Sequence, residues 1–254
     1  MKKLLAIVLG ASIGVAVAEE PTPTPAASGS FTVFPIQVVF SAPGKVQELT
    51  LINTGKGVLN TQSKLLTYSQ SMLKGRVIES NSAIVGAPGV IVTPVVVANV
   101  QPDAKQSIRL LAIKQDESKE IVYRYFIKNL VPQSVDSSGT NFEIQYGMPI
   151  FILPKNVDEK YAISYVKQNG KGYLKVANTG NVHLVFKHFS VDSGGKSVQI
   201  GSVGRLLAGD FAYIEIPAKI DATLAANKSF VVSTNKSKLI DFEQVEPLKI
   251  EVTK

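Results

Sequence analysis

The chain has 254 residues, of which 27 are basic and 20 acidic, and its formal net charge is +7. The positive charge is spread along the sequence rather than clustered, which argues against a nucleic-acid partner. Because there is no cysteine, disulfides and thiol chemistry are excluded, and the fold must depend on an apolar core.

The first thirty residues predict a secretion signal followed by an extended leader. Residues 1–18 begin with Lys2 and Lys3, continue as a short apolar run and end in Ala-Val-Ala, which is typical of a cleavable signal peptide. The apolar run is too short to span a bilayer comfortably, so we expect no membrane insertion after cleavage. Residues 19–30, EEPTPTPAASGS, are rich in Pro and small residues and predict a flexible leader.

From Phe31 onwards the sequence predicts short strands and no helix of any length. Apolar residues recur in short runs, which Gly, Pro, Asn, Asp or Ser interrupts at strand-and-turn spacing. Residues 31–154 hold enough of these runs for one immunoglobulin-like antiparallel sandwich, and residues 155–254 hold a second series. We therefore predict an all-β protein with two β-sandwich domains, and one continuous barrel is the alternative.

The run TNFEIQYGMPIFILP, residues 140–154, predicts an edge strand at the end of the first domain. Its apolar side chains alternate, so a strand would direct them to one face, and Pro149 cannot donate to a β-ladder. Glu143 and Gln145 make the other face polar in the first half only. We expect Ile150 to Leu153 to pack in the core and the first half to remain exposed, although an exposed apolar edge favours aggregation.

The sequence contains no constellation of residues that would support catalysis or metal binding. His183 and His188 would point to opposite faces of a strand, and we expect two surface or partly packed side chains rather than metal ligands. The DSGGKS stretch at 192–197 departs from a phosphate-binding loop, and no GxSxG motif occurs. We predict that the protein is not an enzyme and uses no cofactor.

Several of these runs, taken in order, resemble the periplasmic fimbrial chaperones of the chaperone–usher pathway. The matching features of residues 92–132 are Thr93-Pro94, Pro102, Ile108-Arg109-Leu110, Glu120, the aromatic strand Tyr123 to Phe126, and Pro132. The stretch LKVANTGNVHLVFKHFSV, residues 174–191, resembles the opening of the family's second domain, and FTVFPIQVVF resembles its first strand. The alternate, colonization-factor type of chaperone is the most similar.

The resemblance implies a fold, a function and a location. Members of this family have two immunoglobulin-like domains in a boomerang arrangement and act in the periplasm. They hold pilus or fimbrial subunits that lack their last strand by lending one of their own, which is called donor-strand complementation, and they deliver the subunits to an outer-membrane usher. The expected partners are therefore pilus subunits and an usher, and self-association of the free protein through its edge strand stays open.

The resemblance also implies roles for particular residues. The lending strand of the family lies just before the elbow between the domains, and the corresponding partner-binding side chains are Phe142, Ile144, Tyr146 and Met148. A structural ion-pair network near the elbow corresponds to Arg109, Glu120 and Asp241.

The carboxylate anchor of the family has no basic counterpart at the aligned positions. Family members hold the C-terminal carboxylate of the subunit with an Arg on the first strand and a Lys near the end of the lending strand, which suits paired charged donors. Here the first position is Gln37 and the second falls at or near Pro149. The nearby basic candidates are Arg124, Lys128 and Lys155.

A pilus subunit, or another secreted structural β-sandwich protein without chaperone activity, is the alternative function. A subunit should begin with an extension of alternating apolar residues that it donates to its neighbour. The leader EEPTPTPAASGS does not have this pattern. The sequence therefore favours the chaperone over the subunit.

Overall fold

The computed structural model describes residues 30–73, 76–130, 143–193, 195–226, 229–239 and 245–253. The predicted signal peptide, the leader up to residue 29, Phe142 and Asp241 therefore lie outside the described residues. No helix in the described part of the chain is long and apolar enough to cross a membrane.

The strands up to residue 152 form a first β-sandwich. They are β1 (Phe31–Phe34), β2 (Val38–Phe40), β3 (Val46–Asn53), β4 (Leu59–Leu73), β5 (Arg76–Ser82), β6 (Val90–Thr93), β7 (Val96–Val100), β8 (Lys105–Ala112), β9 (Ile121–Asn129) and β10 (Gln145–Ile152). One sheet, the β1 sheet, has the order β1-β3-β8-β6. The facing sheet, the β10 sheet, has the order β2-β10-β9-β4-β5, and β7 pairs with the start of β4.

The core of the first sandwich follows directly from the alternation of its strands. In β9 the residues alternate between partly exposed and buried, and the side chains of Tyr123, Tyr125 and Ile127 point between the sheets. Ile108 and Leu110 of β8 meet them from the facing sheet and are fully buried. The odd and even positions of each strand therefore decide which face a side chain occupies.

The strands after residue 160 form a second β-sandwich. They are β11 (Tyr161–Gln168), β12 (Lys171–Asn178), β13 (Leu184–Ser193), β14 (Lys196–Leu206), β15 (Phe211–Glu215), β16 (Ser229–Ser237) and β17 (Val245–Thr253). Their two sheets have the orders β11-β12-β15 and β14-β13-β16-β17. The expectation of an all-β protein with two β-sandwich domains is confirmed.

One helix departs from the strand-only prediction. The helix α1 (Ala218–Ala226) begins after Pro217, whose carbonyl oxygen accepts the first two helical N–H bonds, from Ile220 and Asp221. Ile220 and Leu224 are four residues apart and both pack into the second core. The sequence signal was only these two apolar positions, because the helix has nine residues and its other positions are mostly Ala and polar residues.

A buried asparagine closes a corresponding turn in each sandwich. Asn53 donates to the carbonyl oxygens of Gly57 and Val100 at 2.8 and 2.9 Å and accepts from the Gly55 N–H at 2.9 Å. Asn178 likewise donates to the carbonyl oxygens of Val182 and Leu206 at 2.8 and 3.1 Å and accepts from the Gly180 N–H at 3.1 Å. Both begin an Asn-Thr-Gly sequence, so these turns have the same chemistry in the two domains.

Candidate partner-binding site

The strand β10 is paired along its whole length on one side but only in part on the other. Antiparallel pairing with β9 covers all of β10, whereas parallel pairing with β2 covers only Ile150 to Ile152. Among the described residues, no strand pairs with the outer edge of Gln145 to Pro149. The sequence predicted an edge strand at this point, and the structure has one over this first half.

The direction of the backbone groups explains why proline is tolerated in this strand. The Leu153 N–H donates to the Phe40 carbonyl oxygen of β2 at 2.9 Å. Because backbone groups alternate in direction along a strand, the N–H groups of Gln145 and Gly147 point to the open edge. Pro149 belongs to the same series, so its missing N–H removes no bond to β9.

The alternating apolar side chains of this stretch lie at the open end of the first core. Ile144 and Tyr146 are half-buried and pack against the core cluster. The Tyr146 hydroxyl donates to the Phe31 carbonyl oxygen at 2.9 Å, and the two rings meet edge to face with their centroids 5.1 Å apart. Met148 differs from the expectation: it is only 2% exposed, because the two sheets close over the strand from this residue onwards.

Two large apolar side chains are exposed in the segment that leads into β2. Phe34 and Ile36 are 72% and 70% exposed. Both precede β2, which pairs with β10 only from Val38 onwards. Contiguous exposed apolar groups of this kind are typical of interaction sites. Neither residue was predicted from the sequence, because Phe34 and Ile36 have the same parity as the buried Val38 and Phe40.

Two of the predicted anchor positions meet between the sandwiches, in a group of side chains that we call the arginine cluster. Its members are Gln37, Tyr68, Gln70, Glu79, Arg124 and Arg205. Arg124 is the cross-strand neighbour of Pro149, its Nη2 donates to Glu79 Oε2 at 2.8 Å, and its guanidinium lies 4.0 Å from the Tyr68 ring centroid. Gln37 Oε1 accepts a hydrogen bond from Arg205 Nη2, which the second sandwich supplies.

Tyr68 and Gln70 connect the two halves of this cluster. The Tyr68 hydroxyl donates to Glu79 Oε1 at 2.7 Å and accepts from Gln70 Nε2 at 3.0 Å. Gln70 also reaches the second sandwich, where it donates to the Arg205 carbonyl oxygen at 3.1 Å and accepts from the Leu207 N–H at 2.9 Å. Burial, followed by the hydrogen bond to Glu79, raises the pKa of Tyr68 to about 12, so its hydroxyl stays a donor.

The other two basic candidates lie outside the arginine cluster. Lys128 Nζ pairs with Glu143 Oε2 at 3.2 Å near the start of β10. Lys155 is exposed in the segment that follows β10. The structure therefore brings together Gln37 and Arg124 and separates them from Lys128 and Lys155.

Glu120 lies at the junction of the sandwiches but with a partner that the sequence analysis missed. Its carboxylate accepts from the His183 N–H at 2.9 Å and lies 2.7 Å from His183 Nδ1. The His183 ring is fully buried and stacks on Phe151 with centroids 3.7 Å apart. The expectation of a surface or partly packed side chain is wrong for His183, whereas His188 is exposed.

The predicted pairing of Arg109 with Glu120 is also wrong. Arg109 lies between the buried residues Ile108 and Leu110, so the alternation of β8 turns it outwards from the β1 sheet. Its closest acidic partner in the structure is Glu48, at 3.9 Å, and both side chains are more than half exposed. Asp241, the third member of the predicted network, lies outside the described residues.

Asn181 completes the junction from the side of the second sandwich. Its Nδ2 donates to the carbonyl oxygens of Ser118 and Asn156 at 3.0 and 2.7 Å, and its Oδ1 accepts from the Asp158 N–H at 2.7 Å. Its own carbonyl oxygen accepts from the Glu120 N–H at 3.0 Å. The Asn-Thr-Gly-Asn-Val-His stretch therefore fastens the first sandwich, the connecting segment and the second sandwich together.

The described residues contain no group of three or more His, Asp or Glu side chains that would hold a metal ion. The functional residues that sequence reasoning missed are mainly those that pair across the two sandwiches. Arg205 is 168 residues from Gln37, so no local pattern links them. His183 was missed for the same reason, because its partner Glu120 is 63 residues away and the apolar neighbours Val182 and Leu184 would by alternation place its side chain on the opposite face.

Comparison with known proteins decides the family. The sequence model of the family described as "Pili and flagellar-assembly chaperone, PapD N-terminal domain" matches residues 30–158, which is just over half of the chain. The chain belongs to this family. A search of curated proteins by sequence finds no match.

Solved structures of fimbrial chaperones share the fold of this family member. The class 5 fimbriae chaperone CfaA is 20% identical with a TM-score of 0.62, over 89% of this chain and 100% of CfaA. The YadV chaperone is 14% identical with a TM-score of 0.60, over 87% and 98%. The CsuC–CsuE chaperone–tip adhesin complex of Acinetobacter baumannii gives 20% identity and a TM-score of 0.56, over 88% and 98%. The resemblance to fimbrial chaperones is confirmed.

We predict that Glu120 matters far more for stability than Arg109. Glu120→Ala removes the acceptor of two buried His183 donors, at about 1–3 kcal/mol for each, and should lower the free energy of unfolding by about 2–5 kcal/mol. Arg109→Ala removes one exposed ion pair and should cost less than about 1 kcal/mol. Urea unfolding of the two variants measures the difference, and equal losses would contradict the assignment of Glu120 to the junction.

Proposed function

We propose that the protein is a periplasmic chaperone that binds pilus or fimbrial subunits by donor-strand complementation and delivers them to an outer-membrane usher. Residues 1–18 would act as the cleavable signal, residues 19–30 as the leader, and residues 31–154 and 155–254 as the two domains. Membership of the pilus-assembly chaperone family supports the class of partner. The observation that carries the proposal is the open edge of β10 beside half-buried apolar side chains.

An edge of this kind is suited to pair with a strand edge of a partner. The N–H groups of Gln145 and Gly147 and their carbonyl oxygens are available for backbone pairing, and each bond made there contributes about 0.5–1.5 kcal/mol net. The proposed partner-contacting side chains are Ile144 and Tyr146, together with Phe142 from outside the described residues. Phe34 and Ile36 would extend the apolar contact on the other side of the edge.

The apolar contribution is limited by the burial that already exists. Complete burial of an exposed side chain of this size contributes about 1.5–3 kcal/mol before ordering costs. Ile144 and Tyr146 are half-buried in the free protein, so each gains only part of that amount. Because Met148 is already buried, we leave it out of the proposed contact set. Backbone pairing and side-chain burial would thus contribute on a similar scale.

Arg124 is the anchor that we propose for the subunit's carboxylate. It is the cross-strand neighbour of Pro149, the position where relatives of this type would carry a basic residue. Its guanidinium offers planar paired donors to a carboxylate, which suits it better than an ammonium for this contact. Gln37 lies in the same cluster and would assist through its amide, whereas Lys128 and Lys155 lie elsewhere.

We predict that Ile144→Glu abolishes capture of a pilus subunit. The new carboxylate would face the apolar groove of the subunit without a partner, and affinity should fall by at least roughly tenfold. Co-purification from a periplasmic extract with a subunit that is insoluble alone measures the loss. Ile91→Glu, on the edge strand β6 of the other sheet, is the control and should retain capture. If Ile144→Glu folds normally and still protects its subunit, the open edge is not the binding site.

We predict that Arg124→Gln weakens subunit binding while Lys128→Gln does not. Charge-assisted hydrogen bonds to a carboxylate contribute about 1.5–3 kcal/mol, so the dissociation constant should rise by roughly ten- to hundredfold. Binding of the subunit with and without its C-terminal residue would show whether the effect depends on the terminal carboxylate. Equal effects of the two substitutions would contradict the proposed anchor.

A further inference from the structure

The arginine cluster concentrates a rare residue type. The whole chain has 27 basic side chains but only four arginines, Arg76, Arg109, Arg124 and Arg205. Two of these meet in the cleft between the sandwiches, Arg124 from β9 and Arg205 from β14. Arginine is the residue that pairs with carboxylates through two parallel bonds, so its concentration at this place favours an acidic ligand.

The charges of this cluster are only partly balanced by the described residues. Arg124 has the carboxylate of Glu79, at 2.8 Å. Arg205 donates to the uncharged amide oxygen of Gln37 and lies 5.2 Å from the Phe151 ring centroid. Burial lowers the pKa of Arg205, although the Glu79 carboxylate, which already pairs with Arg124, and the Tyr68 hydroxyl oppose this shift. Among the described residues of this cluster, one carboxylate therefore serves two guanidinium groups.

Three donors of the arginine cluster are unused. The Nε atoms of Arg124 and Arg205 and the Nε2 atom of Gln37 are buried and have no hydrogen-bond partner among the described residues. Buried donors are rarely left unpaired in native proteins unless a ligand, water or ion completes them. Three such donors in one cluster therefore indicate a site for an acceptor that comes from outside.

Glu79 is held in this site by bonds that can be exchanged. Its two oxygens accept from Arg124 Nη2 at 2.8 Å and from the Tyr68 hydroxyl at 2.7 Å. Burial alone would raise the pKa of Glu79, but the hydrogen bonds from Tyr68 and Arg124 outweigh it and lower the pKa, so Glu79 is ionised at neutral pH. Its side chain is nevertheless 46% exposed and lies on the edge strand β5, so it can leave without disturbing the core.

We infer that Glu79 is an internal competitor for the carboxylate site that Arg124 and Arg205 form, and that a partner's carboxylate binds by displacing Glu79 from Arg124. This inference rests on the proposed function and adds regulation to it. A neutral or cationic ligand gains nothing by displacing Glu79, so the competition favours ligands that bring their own carboxylate. Glu79 also serves as the counter-ion of Arg124 while no partner is bound.

The four arginines make a direct experiment feasible. Their side-chain Nε–Hε groups give separate signals in a ¹⁵N-labelled sample, and the signals are assigned by Arg→Lys substitutions. Sodium acetate is the probe, and it is added against sodium chloride at constant ionic strength. We expect acetate to shift the signals of Arg124 and Arg205 and to leave that of Arg109 unchanged.

Two variants test the competition itself. Glu79→Gln should bind acetate roughly three- to tenfold more tightly than the wild-type protein, because one ion pair no longer opposes binding. Tyr68→Phe removes one of the two bonds to Glu79 without changing any charge, and it should tighten acetate binding by a smaller factor. The matched control is Glu143→Gln, which loses the same charge at the exposed Lys128 pair and should leave the acetate dissociation constant unchanged.

The outcomes separate this inference from the proposed function. Equal acetate affinity in the wild-type protein, Glu79→Gln and Tyr68→Phe would overturn the competition, and so would acetate shifts that leave out Arg205. If thermal melting shows that Glu79→Gln is unfolded, acetate binding to Tyr68→Phe still tests the competition, because tighter binding supports it and unchanged binding contradicts it. A protein that captures its subunit but shows no acetate shifts would refute the carboxylate site and leave the chaperone function standing.

Discussion

The short coverage of β10 by β2 is the constraint on which the rest of the arrangement depends. From Ile150 onwards β10 has a strand on each side and its side chains are buried. Before Pro149, β9 is the only strand in the described part of the chain that pairs with β10, because β2 has only three residues and β1 before it belongs to the other sheet. The second half of β10 therefore holds the first half in a fixed register, which lowers the entropy cost of adding a strand to its open edge.

The junction between the sandwiches supplies a second surface next to this edge. The buried contact of Glu120 with His183, the stacking of His183 on Phe151, and the hydrogen bonds of Asn181 hold the second sandwich against the β10 sheet. This packing brings Arg205 to Gln37 and thereby creates the arginine cluster. An open strand edge and a cationic cleft thus occur side by side, and each depends on β10 passing from edge to core at Pro149.

The sequence alone predicted the parts of this structure that local pattern controls. Alternation in β8 and β9, the break at Pro149 and the Asn-Thr-Gly turns all act over a few residues, so the two sandwiches and the edge strand could be inferred from them. Long-range pairing could not be inferred in this way. Glu120 faces His183 at a separation of 63 residues and Gln37 faces Arg205 at 168, and no local period connects such positions. The same reason explains why Arg109 received a partner that it does not have, and why the burial of Met148 was not foreseen.

Amide hydrogen exchange at Gln145 and Gly147 shows whether a subunit binds at the open edge of β10. Their N–H groups point to the open edge in the free protein and should exchange rapidly there, while the N–H of Tyr146, which points to β9, is protected. In the complex with the subunit that co-purifies with the protein, we expect the N–H groups of Gln145 and Gly147 to become protected together. If both N–H groups stay unprotected in a complex that keeps the subunit soluble, the subunit is held elsewhere and the open edge of β10 is not the binding site.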